Sequence, residues 1–188
     1  MKATLSALVL SLTLALPALA KEKEVAGVKF PDTVSVEGKE LKLNGAGLRT
    51  KAIFKVYAAA LYVETVSQDA AQVISSDQTK RVRMVMLRDL EKAKITDAIA
   101  DGIEKNSKAA LPALKDRLEK LKGAVPDLKK GDDLTITYVP GKGTQVQSKA
   151  GEALTLEGKD FADALFGVWL GAKPVDDDLK DGMLGKED

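Results

Sequence analysis

The order of apolar patterns along the chain predicts an α+β fold, with a mainly antiparallel sheet and helices collected on one side of it. Three observations carry this expectation. Alternating apolar and polar residues mark strands early in the chain, at 34–43, 51–64 and 80–88, and again at 134–148. Two stretches between these blocks, 92–107 and 109–122, repeat their apolar residues at helical spacing, and a third, 158–170, follows the last strands. Strands, two helices, strands and a helix in that order give segregated layers.

Each element has its own signal. The first twenty residues read as a cleavable secretory signal. Lys2 gives a positive start, Ala3 to Leu16 are apolar apart from Ser and Thr, Pro17 breaks the run, and Ala18-Leu19-Ala20 offers small residues to a signal peptidase. A retained anchor helix is the alternative, but the run falls short of the ~20 apolar residues that span a bilayer. The expectation is an exported chain without a membrane span, periplasmic in a Gram-negative source. Residues 1–20 are then the signal and 21–188 one domain.

Residues 21–32 are polar and read as a loose lead-in. Val34-Ser35-Val36 and Leu41-Lys42-Leu43 flank Glu37-Gly38-Lys39 as a β-hairpin, and Asn44-Gly45-Ala46-Gly47 reads as a turn. A long strand is expected from Lys51 to Glu64. Its later half is apolar at both parities, so it needs cover on both faces. Residues 80–88 form another strand. Ile95, Ile99, Gly102 and Ile103 share one helix face, and Leu111, Leu114, Leu118 and Leu121 a second. Strands follow at 134–139 and 144–148 around Pro140-Gly141, with a short one at 154–156. Phe161, Leu165, Val168 and Trp169 stripe the last long helix, with Gly171 as its C-cap, and a final helical turn starts near Asp176.

Composition removes whole classes of function. The chain has no cysteine, so its stability comes from packing without disulfides. It has no histidine, which removes Ser-His-Asp and Cys-His machinery and most zinc sites. Without Lys2, 28 basic side chains face 28 acidic ones, a balance unlike that of a nucleic-acid binder. Asp132-Asp133 and Asp176 to Asp178 read as solvated turns or helix starts. No cofactor fingerprint is present, and nothing in the sequence fixes the oligomeric state.

Arg49 and Tyr57 stand out. Arg49 follows the Gly-rich segment and enters the long strand, and Tyr57 lies eight residues on with the same parity. An arginine fork and a phenol at opposite ends of an apolar wall suit a carboxylate or a phenolate. The same spacing suits an exposed arginine and a core tyrosine with its hydroxyl at the rim, and spacing alone favours that plainer reading.

At these residues the chain resembles a known family. Gly45-Ala46-Gly47-Leu48-Arg49, followed by Lys55-Val56-Tyr57-Ala58-Ala59-Ala60-Leu61-Tyr62-Val63-Glu64, resembles the start of the chalcone isomerase family. Ile103-Glu104-Lys105-Asn106 and the stretch Leu156 to Leu165 are similar to its helix segments, and the likeness runs from about Gly27 to about Leu184. The secreted form resembles the bacterial chalcone-isomerase-like branch. The resemblance implies an open-faced β-sandwich, a large antiparallel sheet with helices on one face and a ligand cleft between them.

It also implies site residues. The family arginine falls at Arg49, the strand threonine of the isomerases at Tyr57, and the helix asparagine at Asn106. The catalytic helix tyrosine falls near Ile99 and the last-helix hydroxyl at Ala162, so two isomerase groups are replaced. Arginine with a strand tyrosine is similar to the pair that holds a lipid carboxylate in fatty-acid-binding members. The implied function is a non-catalytic protein binding a small apolar acid, such as a fatty acid. Arg49 and Tyr57 would hold the head group, and Ile53, Ala59, Leu61, Ile99 and Ile103 would form the apolar wall. Two alternatives stand beside it. One is an intramolecular lyase closing a chalcone to a flavanone, a flavonoid-like ligand, with Arg49 and Tyr57 as its catalytic groups. The other is an envelope interaction domain whose cleft is filled and whose Arg49 pairs with an internal acid.

Overall fold

A computed structural model describes residues 22–149 and 153–186; the secretory-signal reading of 1–20 lies outside them. β1 (Glu22–Val25) and β2 (Val28–Pro31) form a hairpin of their own. Seven further strands make one antiparallel sheet in which neighbours in sequence are neighbours in space. They are β3 (Thr33–Val36), β4 (Lys39–Lys51), β5 (Phe54–Val63), β6 (Lys80–Met86), β7 (Asp133–Val139), β8 (Gly143–Ser148) and β9 (Leu154–Leu156). The helices are insertions in this meander. α1 (Ala70–Ser75) precedes β6, α2 (Lys92–Ser107) and α3 (Leu111–Ala124) join β6 to β7, and α4 (Lys159–Leu170) and α5 (Asp177–Met183) close the described chain. The architecture is the expected α+β fold.

The two faces of β5 carry two cores. Tyr57, Ala59, Leu61 and Val63 join the large cluster under the helices, with Leu114, Leu118 and Leu121 of α3 and Phe161, Leu165 and Trp169 of α4. Ala58, Ala60 and Tyr62 point the other way, into a smaller cluster with Phe30 of β2 and Leu41 of β4. The double-sided apolar pattern of 56–63 therefore has its cover on both faces, from helices on one and the β1–β2 hairpin on the other.

The sheet also curls. Glu37, in the β3–β4 turn, accepts a hydrogen bond from Lys142 in the β7–β8 turn at 2.5 Å. Four strand spacings of about 4.8 Å separate those turns on a flat sheet. Val36 and Val139 share the smaller cluster across the same gap, so the sheet bends over that face.

Three expectations are corrected. Residues 21–32 are not a loose lead-in, because 22–31 pair as the β1–β2 hairpin and bury Phe30 completely. The long strand does not start at Lys51. β4 runs through Lys51, Ala52 and Ile53 turn, and β5 begins at Phe54. Ala52 takes a left-handed φ of 54° to make that turn. The glycines 45 and 47 do not make a turn either; they lie inside β4 beside α5. A Cβ on Gly45 would stand 2.2 Å from the Gly182 carbonyl oxygen, so glycine there answers close backbone approach. Helix α1 carried no recognised signal. Its start is capped by Asp69, whose carboxylate accepts from the N–H groups of Ala71 and Gln72.

Candidate functional site: a cleft between sheet and helices

The turn at Ala52-Ile53 sets the geometry of the site. Because β4 folds back there, Arg49 and Tyr57 are direct partners on adjacent antiparallel strands rather than residues of one strand. Met86 of β6 is the next in that row. Cross-strand partners sit side by side on the same face, and the Arg49 guanidinium carbon lies 5.5 Å from the centre of the Tyr57 ring. The shared face expected from parity is found, but the two side chains lie side by side instead of at opposite ends of a wall.

This row forms the wall of a cleft of about 570 Å³ between the sheet and α2. Met84, Met86 and Leu134 supply apolar surface from the sheet, and Ile95, Ile99 and Val168 supply it from the helices. α2 lies close to α4 because Gly102 meets Val168, where a Cβ would stand 2.8 Å from the nearest valine methyl. The charged groups sit around the cleft: Arg49, Lys51, Arg88, Lys94, Lys105 and Lys173, with Asp89, Asp97 and Asp101.

At the inner wall the chemistry narrows to three side chains. Trp169 donates its indole N–H to the Tyr57 hydroxyl oxygen at 3.0 Å. The Tyr57 hydrogen has no acceptor among the described residues. Burial pushes the phenol above its ordinary value, against the opposing pull of the Arg49 charge and the Trp169 hydrogen bond. Tyr57 is thus a neutral donor at physiological pH. Arg49 is half-buried and has no carboxylate within 4 Å among the described residues. The nearby Asp176 is otherwise engaged. It accepts from the Thr50 N–H at 3.0 Å and from the Leu179 N–H at 2.9 Å, which caps α5 and fixes the end of β4. A cation and a neutral hydroxyl at one end of an apolar slot can bind an anionic oxygen whose attached chain lies along the slot.

Comparison with known proteins places the fold. A model of the family described as chalcone isomerase-like matches residues 22–185. The chain belongs to the chalcone isomerase-like family. Among solved structures, this family member is similar to the fatty-acid binding protein of Arabidopsis thaliana, with a TM-score of 0.68 and 13% identity over 87% of this chain and 96% of that one. Against curated protein sequences the chain has no significant match.

Within this chalcone isomerase-like fold the expected site residues separate. Arg49, Tyr57 and Ile99 meet at the cleft. Ala59, Leu61, Ile103 and Ala162 are fully buried in the core under the helices and are not on the cleft wall. Ile53 is corrected outright: it sits on the β4–β5 turn with 86% of its surface exposed. Asn106 is corrected as well. Its amide donates to the Gly102 and Lys173 carbonyls and accepts from the Lys173 N–H, so it clamps the segment after α4, away from the Arg49–Tyr57 row.

The residues that sequence reading missed are Trp169, Met84, Met86 and the rim cations. Trp169 was visible only as one member of an apolar helix stripe, and its indole N–H gave no signal of a tyrosine partner 112 positions away. A second buried polar group lies elsewhere. Lys80, fully buried, donates to the carbonyls of Val73, Ile74 and Ser76 at the end of α1 and stands 3.8 Å from Asp163. Burial pulls its ammonium down to about 8, opposed by the Asp163 charge. It closes a helix end and takes no part in the cleft.

Proposed function

We propose that the protein is an exported, non-catalytic member of the chalcone isomerase-like family that binds a small apolar acid, such as a fatty acid, in this cleft. One observation carries the reading. Arg49, with no carboxylate partner among the described residues, lies at the end of an apolar slot beside Tyr57, whose hydroxyl accepts from Trp169 and has no acceptor for its own hydrogen among the described residues. A half-buried cation without an internal counter-ion favours an anionic ligand. The likeness to a fatty-acid binding protein supports the same ligand class at the level of fold. The interaction-domain alternative expects a filled cleft and an internally paired Arg49, and neither is observed. In the lyase alternative a tyrosine is needed where this cleft has Ile99.

The sequence motif at Ala18-Leu19-Ala20 supports export. A native mass spectrum of the gently purified full-length gene product tests both parts. The expected mass begins at Lys21, and denaturing extraction releases an apolar acid. Arg49→Ala is expected to weaken fatty-acid binding by roughly ten- to a hundredfold, the worth of a charge-assisted hydrogen bond. Unchanged affinity in that variant would remove Arg49 from the site and the reading with it.

A further inference from the structure

The tip of the β4–β5 hairpin is unlike the rest of the surface. Ile53 is 86% exposed and Phe54 is 55% exposed, side by side at the turn. Residues 49–56 carry Arg49, Lys51 and Lys55 and no acidic residue. Arg88 lies over the Phe54 ring with its guanidinium carbon 4.9 Å from the centre. Two acids beside the tip, Asp89 next to Arg88 and Asp176 on the Thr50 N–H, are engaged. Asp89 accepts from the Lys129 ammonium at 3.1 Å and from the Lys130 N–H, and Asp176 caps α5. The tip is therefore a pair of apolar side chains flanked by Arg49, Lys51, Lys55 and Arg88, none of which is in an ion pair among the described residues. It is also the lip of the cleft, because Lys51, Phe54 and Arg88 line the opening.

We propose that this tip docks on an anionic lipid surface and holds the mouth of the cleft against it. Ile53 and Phe54 enter the headgroup layer, while Lys51, Lys55 and Arg88 stay among the anionic headgroups. This is the division of labour of a peripheral membrane anchor. Each Lys or Arg near such a surface strengthens binding about fivefold. Two exposed apolar side chains alone anchor weakly, so the contact is reversible and salt-sensitive. An apolar acid crossing between bilayer and cleft would then pass along Phe54 without entering bulk water.

The test is co-sedimentation of the mature protein with phosphatidylcholine vesicles, with and without phosphatidylglycerol. Binding is expected only to the vesicles with phosphatidylglycerol, and it falls as salt is raised. Ile53→Asp and Lys55→Glu are each expected to weaken it by about tenfold or more. Neither residue lines the cleft, so fatty-acid affinity in solution and the thermal midpoint stay at wild-type values. Equal vesicle binding by wild type and Ile53→Asp would overturn the proposal. So would absence of vesicle binding by the wild type; if Ile53→Asp then dissociated a dimer, the tip would belong to a second copy of the chain. The docking claim fails separately from the ligand reading, since vesicle binding persists in a protein that holds no fatty acid.

Discussion

Tyr57 carries packing and, on the proposed function, recognition in one side chain. Its ring is buried between Arg49 and the helix layer, and its oxygen is the acceptor for the indole of the chain's single tryptophan. Tyr57→Phe keeps the ring and removes the oxygen, so two losses are expected at once. The ligand loses a neutral donor, worth about 0.5–1.5 kcal/mol, or roughly two- to twelvefold in affinity. Trp169 keeps a buried N–H with no acceptor, which costs about 1–3 kcal/mol of stability. Urea unfolding measures the second, and fatty-acid titration below the transition measures the first. Trp169 itself supplies the signal, because it lines the cleft. A variant with full stability but weakened binding would show that the indole finds another acceptor; full affinity would take Tyr57 out of the head-group contact.

Between elements, the decisive residues are those that lack a side chain. β4 and α5 touch through Gly45, Gly47 and Gly182, and added Cβ atoms there would meet backbone at 2.2, 3.0 and 2.9 Å. Gly45→Ala is expected to destabilise by about 1–3 kcal/mol or more, since the collision is with a main-chain carbonyl that cannot swing aside. Gly123→Ala, in α3 with nothing within 4 Å of its added Cβ, is expected to stabilise by about 0.5–1 kcal/mol. Opposite signs for one substitution would separate close approach from backbone freedom; chemical denaturation of both variants decides it. The same glycines show where the sequence was legible and where it was not. The period of the Leu114, Leu118 and Leu121 stripe, the double-sided apolarity of 56–63 and the 134–148 hairpin follow from local pattern, and each is found as read. Gly45 and Gly47 are ambiguous locally, because a turn and a close tertiary contact both select glycine. Ile53 failed for a related reason. A two-residue turn without proline or glycine at its centre is invisible to pattern, and missing it put Ile53 on an apolar wall instead of on the turn. Arg49 and Tyr57 share a face on either reading, because the register shift between Arg49 and Thr50 restores the parity that the turn inverts, but only the turn sets them side by side. Trp169 and the rim cations were not, because only the folded chain brings β5, β6, α2 and α4 to one cleft.

At the scale of the whole molecule, ion pairs tie strands and turns of the curled meander together, among them Lys39–Glu64, Arg83–Asp133 and Lys142–Glu37. Glu64 is the most informative, because it joins three strands. One carboxylate oxygen accepts from the Lys39 ammonium at the start of β4 and from the Thr79 N–H just before β6, while Glu64 itself directly follows β5. These two bonds hold its pKa down to about 2, against the ordinary 4.5. The sign of the linkage follows. A carboxyl whose folded pKa is depressed adds stability above the unfolded value, and that stability is lost as pH falls from about 4.5 toward 2. Glu64→Gln is therefore expected to cost about 1 kcal/mol at pH 7, the modest figure suited to a partly exposed pair. Its deficit should shrink steadily below pH 4.5 and vanish near pH 2. Urea midpoints of both proteins measured across that range test the assignment. A deficit that stayed constant with pH would mean that Glu64 acts through packing alone, and the acid sensitivity of the sheet would have to come from another carboxylate, with Glu37 at the Lys142 bridge the next to examine.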